Sequence, residues 1–129
     1  SKAFVPGSWG ADLSPGLGPL DSFGPEVLLE KDVYGAFTGT GLEEWLRSHG
    51  IDSVLIVGFY AHMCLSTSVR EALVRGFDVT IDPEATGARD IEDEALGHQC
   101  ADEVRRSALL QLVNMGATVL RPEVAAGER

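Results

Sequence analysis

Ser53-Val54-Leu55-Ile56-Val57-Gly58, followed by Phe59-Tyr60-Ala61-His62-Met63-Cys64-Leu65, decides how the chain reads. The first six residues form an apolar run closed by glycine, which predicts a strand buried on both faces. Leu65, Val69, Ala72 and Leu73 then recur at helical spacing up to Gly76, so a helix is expected over Leu65–Arg75. Cys64 stands on the strand-to-helix turn that joins them.

Downstream, Phe77-Asp78-Val79-Thr80-Ile81 predicts a further strand. Residues 83–98 read as a long loop with a short helical turn around Glu92–Leu96. Val104, Ala108, Leu109, Leu112 and Val113 mark a last helix that ends at Asn114–Gly116, before a final strand at Ala117–Leu120 and a frayed tail over 122–129. Upstream, Thr40-Gly41-Leu42-Glu43 has the form of a capping box. The helix it opens carries Leu42, Trp45, Leu46 and His49 on one face and stops at Gly50. Val27-Leu28-Leu29 predicts a buried strand ending at Glu30 and Lys31. Residues 1–26 are rich in Gly and Pro and read as an irregular loop. Gly16 and Gly18 make no phosphate cradle there, because no strand precedes them.

Strands alternating with helices predict a single α/β domain over 1–129, a doubly wound parallel sheet with helices on both faces. In such sheets the working residues gather at the carboxyl ends of the strands. Lys31 and the segment Gly58–Cys64 both fall at such ends.

The 129 residues suit one domain, and 44% hydrophobic with 23% charged residues suits a folded globular chain. Twenty acidic residues against ten basic ones give a net charge of -10, which repels nucleic acid and anionic membrane surfaces. No apolar run approaches the roughly 20 residues of a membrane helix, and the N-terminus has no signal-peptide pattern. Two distant cysteines, Cys64 and Cys100, suit a reducing cytoplasm better than a disulfide scaffold. His49, His62 and His98 are scattered, and no CxxC or HxxxH occurs, so no metal site is expected. The partner these observations leave is a small molecule.

A thiol attacks as thiolate, and an unassisted cysteine with a pKa of about 8.5 is mostly protonated at neutral pH. The N–H groups at a helix start favour the anion and can also hold a tetrahedral oxyanion. A lysine ammonium beside Cys64 would add to the first effect. Lys31 is the candidate.

Lys31-Asp32-Val33-Tyr34-Gly35-Ala36-Phe37-Thr38-Gly39-Thr40-Gly41-Leu42, then Gly50-Ile51-Asp52, then Gly58 through Leu65 resemble the isochorismatase-like cysteine hydrolase superfamily, with its nicotinamidases and N-carbamoylsarcosine amidohydrolases. The resemblance runs from about Pro6 to Leu120. It implies a three-layer α/β/α Rossmann-like fold and an Asp–Lys–Cys triad. Cys64 would be the nucleophile, and Lys31 would orient the acid and stabilise the thiolate. The backbone N–H groups of Tyr60 and Cys64 would form the oxyanion hole. A cis peptide at Phe59–Tyr60, no cofactor, and a homo-oligomer (dimer or tetramer) are implied as well. The triad aspartate has no counterpart: it ends the family's first strand, and neither Asp12 nor Asp21 stands in such a context. No counterpart of the family's first strand, first helix and second strand is expected in this chain, and in the family's sheet those two strands lie in the middle, between the strands that match Val27–Leu29 and Ser53–Val57. The chain is therefore expected to be partial, or to be completed by another polypeptide.

Nicotinamidases carry an Asp/His metal cluster upstream, and no histidine precedes His49 here. Tyr60-Ala61-His62 is similar to the true isochorismatases, which cleave a vinyl ether without a covalent step and lack a cysteine at position 64. Phe37 and His62 are the expected pocket residues, with Trp9 and Tyr34 weaker candidates. Cys100 reads as structural, and Asp90–Glu94 as a solvated face. Three functions follow: an amidase-type hydrolase of small carboxamide, carbamoyl or imide compounds, a catalytically silent binding or assembly module, and a vinyl-ether hydrolase.

Overall fold

A computed structural model describes residues 6–8, 11–20 and 24–121. Trp9, Asp21 and the tail from Pro122 lie outside the described residues. Three parallel strands, β1 (Ser53–Phe59), β2 (Asp78–Gly87) and β5 (Thr118–Val119), form a sheet in the order β1-β2-β5. Helix α2 (Ser66–Val74) connects β1 to β2, and α3 (Ala101–Asn114) connects β2 to β5. Helix α1 (Leu42–Ser48) precedes β1. The expected α/β class with a parallel sheet is what the chain forms.

The core lies on one face of the sheet. Val54 and Ile56 pair in register with Val79 and Ile81, so these four side chains point the same way. Val69 of α2, Leu112 of α3 and Leu46 of α1 pack into that same cluster, where Ile81, Leu112 and Val69 are fully buried. The opposite face of β1 is bare: Leu55, Val57 and Phe59 are 57%, 51% and 71% exposed. The expectation of a strand buried on both faces is corrected here. An apolar run shows that a strand can be covered twice, but the cover itself must come from other residues. Strand β1 is also an edge, with no strand on its outer side among the described residues.

Several local expectations are corrected too. Val27–Leu29 forms no strand and is exposed, Leu28 at 64%. An extended segment becomes a strand only beside a partner that takes its backbone hydrogen bonds, and the described residues offer none. The second strand runs on to Gly87, past the expected Ile81, because Gly58 and Phe59 pair again with Thr86 and Gly87 after an excursion at Pro83, which has no N–H to give a ladder. The expected helical turn at Glu92–Leu96 is instead an antiparallel hairpin, β3 (Ile91–Asp93) with β4 (Gly97–Gln99). The Asp93 carboxylate accepts the N–H groups of Ala95 and Leu96 at 2.9 Å each, and Gly97 takes φ +91°. Together these close a turn instead of starting a helix.

The capping box at Thr40 does not form. Gly41 occupies the N-cap position of α1, and the Glu43 carboxylate reaches Arg75 at 3.0 Å and Arg47 at 3.5 Å. A free carboxylate beside two guanidiniums pairs with charge in preference to a lone N–H. His49 follows the helix and stacks on Trp45, ring centroids 4.3 Å apart.

Candidate active site

Strand β1 ends at the peptide Phe59–Tyr60, which is cis. The chain then turns through one wide helical segment, Ala61–Leu65, before α2 begins. Cys64 is therefore the fourth residue of this segment and does not open a regular α-helix. The Tyr60 carbonyl closes the turn by accepting the N–H groups of Met63 (2.9 Å) and Leu65 (3.2 Å). Cys64 is half-buried and unpaired.

Lys31 arrives from a segment 33 residues earlier in the chain. Its Nζ lies 3.5 Å from Cys64 Sγ and donates to the Val33 carbonyl at 2.9 Å. The strand-end expectation thus brings together the two residues it named, although Lys31 ends an extended segment and not a strand. What holds the 31–40 loop in place is α2. Ser68 Oγ accepts the Ala36 N–H at 3.0 Å, and the Glu71 carboxylate accepts the Phe37 N–H at 2.9 Å and the Thr38 hydroxyl. Burial pushes the Glu71 carboxyl up, but the Thr38 and Phe37 hydrogen bonds and the Arg75 charge outweigh it and hold the group below its ordinary value. Gly35 is buried against that carboxylate, and a Cβ there would overlap it. Sequence reasoning passed over Ser68 and Glu71. Their signal was weak: two polar residues three apart on the helix that carries the core residues Val69 and Ala72.

Lys31 and Cys64 stand at a cavity of 420 Å³ that runs along the outer edge of β1 and is walled chiefly by apolar groups, among them Phe37, Leu46, Val57 and Phe59. Phe37 lines it, while also packing on Phe77 in the core with ring centroids 5.7 Å apart. His62 does not line it. Two residues along a helical turn is about half a revolution, so a His62 two places before Cys64 projects to the other side. Its ring stands 5.9 Å from Tyr60, and its Nδ1 is buried without a hydrogen-bond partner. Burial first, and the Arg89 charge second, hold His62 below its ordinary pKa. Tyr34 is exposed and absent from the cavity wall. Asp12 is exposed, and no carboxylate joins Lys31 and Cys64 among the described residues. Among the same residues no group of three or more His, Cys, Asp or Glu could hold a metal ion. Cys100 is exposed and caps α3, with its N–H donated to Glu103 at 3.1 Å.

The model of the isochorismatase domain matches residues 1–122. The chain belongs to the isochorismatase family. Among its relatives, a secreted isochorismatase effector of Verticillium dahliae is 35% identical over 88 residues, 68% of this chain and 45% of that protein. An N-carbamoylsarcosine amidase from Arthrobacter is 35% identical over 82 residues, 64% of this chain and 30% of that protein. A solved isochorismatase from Pseudomonas putida superposes with a TM-score of 0.82 at 29% identity, over 91% of this chain and 58% of its own. The chain thus spans less than two thirds of the length of each of these relatives. No helix among the described residues is long and apolar enough to cross a membrane.

Proposed function

We propose that the protein is a cysteine hydrolase of amidase type, acting on a small carboxamide, carbamoyl or imide compound. The observation that carries this reading is the Lys31 ammonium 3.5 Å from the Cys64 thiol at the mouth of the apolar cavity. A cation at that distance favours the thiolate over the thiol. The Arthrobacter relative, an amidase of N-carbamoylsarcosine by its name, supports the substrate class.

In this mechanism a base takes the Cys64 proton and the thiolate attacks the carbonyl carbon. The N–H groups of Tyr60 and Cys64 receive the oxyanion. The C–N bond breaks, the nitrogen leaves with a proton as ammonia or amine, and water then releases the acid from the thioester. The base is a carboxylate other than those of the described residues. The protein acts as a homo-oligomer, and its free thiols suit the cytoplasm, although the Verticillium relative is secreted by its name.

The absence of a carboxylate beside Lys31 and Cys64 among the described residues favours a second reading, a silent binding module. Ammonia release from a panel of carboxamides and carbamoyl amino acids separates the two. Hydrolysis that disappears in Cys64→Ala and falls at least tenfold in Lys31→Met is the expected result. No turnover of any amide by the full-length protein would favour the silent module, and full activity in Cys64→Ala would point to vinyl-ether chemistry.

A further inference from the structure

The Lys31 amine and the Cys64 sulfur, 3.5 Å apart, both open on the cavity. A small oxidant such as hydrogen peroxide can therefore reach the sulfur. A half-open cysteine beside a cation is the kind that oxidises readily, first to the sulfenic acid. What becomes of that group depends on the nucleophile nearest to it.

One candidate is a second thiol, and the chain has only Cys100 besides. Cys100 caps α3 and is absent from the cavity wall. Another is a backbone nitrogen. Leu65, which follows Cys64, is buried and donates its N–H to the Tyr60 carbonyl at 3.2 Å. Its nitrogen belongs to the helical turn and reaches the sulfur only if that turn is broken. Lys31 remains. Its ammonium donates to the Val33 carbonyl at 2.9 Å and faces Cys64, and no carboxylate holds it among the described residues. The flexible lysine stem can close the gap that is left.

We propose that Lys31 and Cys64 form a redox modification site, where peroxide drives a reversible sulfur–nitrogen bond (a sulfenamide) between the two side chains. The thiolate attacks one peroxide oxygen, the O–O bond breaks and hydroxide leaves, so the sulfur is oxidised and the peroxide reduced. Hydroxide takes the sulfenic proton, giving water and a sulfenate. The Lys31 nitrogen then bonds to sulfur as the S–O bond breaks, and the oxygen leaves as water with two of the ammonium protons. A thiol reductant reverses the link by thiol exchange at the sulfur, ending as its own disulfide. The bond ties up the nucleophile and its cation together, so the oxidised protein is switched off. It also shields the sulfur from sulfinic acid, which thiols do not reverse. The site goes beyond the hydrolase reading and needs no amide to be turned over.

Full-length protein treated with hydrogen peroxide is cut after glutamate, which separates Lys31 from Cys64 because Glu43 and Glu44 lie between them. The expected product is the two peptides joined, at their summed mass less two hydrogens. Alkylation of Cys64 by iodoacetamide should be lost on oxidation and should return with dithiothreitol. Lys31→Arg keeps a cation at this position, but a guanidinium stays protonated and does not condense. In that variant no joined peptide should form, and alkylation should stay lost after dithiothreitol as Cys64 passes on to the sulfinic acid. Wild-type Cys64 found as sulfinic acid, or joined to Cys100, with the Lys31 peptide free would overturn the assignment. Equal recovery in wild type and Lys31→Arg would overturn it too. Both results are read from peptide masses and alkylation, so they stand apart from whether any amide is hydrolysed.

Discussion

The two faces of β1 carry side chains of the same character and meet opposite fates. Val54 and Ile56 join a cluster that three helices close, while Leu55, Val57 and Phe59 stand in solvent on the other side. The covered face holds the fold together, and the open edge of β1, with its cavity, holds Lys31 and Cys64. Stability and chemistry are therefore separable in this chain: substitutions on the first face should unfold it, and those on the second should leave it folded.

The largest effect on stability should come from the covered face. Leu112→Ala removes a fully buried side chain and is expected to cost about 2–5 kcal/mol in denaturant unfolding. A cost under about 1 kcal/mol would mean that the helix-side cluster is not the core.

Glu71 joins the two regions, since it stands on α2 and holds the loop that delivers Lys31. Glu71→Ala should cost about 1–3 kcal/mol through the lost charged hydrogen bonds, and should slow the reaction of Cys64 with iodoacetamide as Lys31 loses its place. The sign of its pH dependence follows from the lowered carboxyl. The stabilisation is full above the ordinary carboxylate range and is lost as pH falls through the folded value. Unfolding of wild type and Glu71→Gln between pH 6 and 3 should therefore converge at the acid end.

His62 gives a smaller effect in a different pH window. Its folded pKa is depressed, so the stabilisation of its neutral form is present above the ordinary histidine value and fades as pH drops below it. The melting temperature of wild type should fall between pH 7.5 and 5.5 more than that of His62→Gln. Equal slopes would remove His62 from the account.

The smallest effect belongs to the bare face. Leu55→Thr in the 129-residue chain should change stability by no more than about 0.5 kcal/mol and should improve solubility, because an exposed apolar edge strand invites association. In a longer protein whose additional polypeptide covers this face, the same substitution should cost about 1–3 kcal/mol. That contrast is the sharpest way to show whether the face is meant to be covered.

Elements whose pattern and partners lie within the chain were legible from sequence alone. The β1–α2–β2 unit and the final helix and strand follow from the apolar run at Ser53–Gly58, the spacing of Leu65, Val69 and Ala72, and the glycine stops. Misread elements depended on something local pattern does not carry. Val27–Leu29 needed a partner strand, and the outer face of β1 needed a cover, neither found among the described residues. The hairpin at Ile91–Gln99 was hidden because Glu92–Leu96 has fair helix formers, and the Asp93 side chain decides for the turn. At the site, the Lys31–Cys64 contact was expected from two strand ends. His62 fell on the wrong side because nearness in sequence is not nearness around a helical turn.

The central claim is that the Cys64 sulfur becomes covalently attached to the acyl group during turnover. The direct test is the mass of the Cys64 peptide from full-length protein quenched in acid while hydrolysing an amide substrate. The account predicts an adduct of the acyl mass on Cys64, absent in Cys64→Ala, which should also be inactive. Steady turnover with Cys64 unmodified, together with undiminished activity in Cys64→Ala, would contradict it.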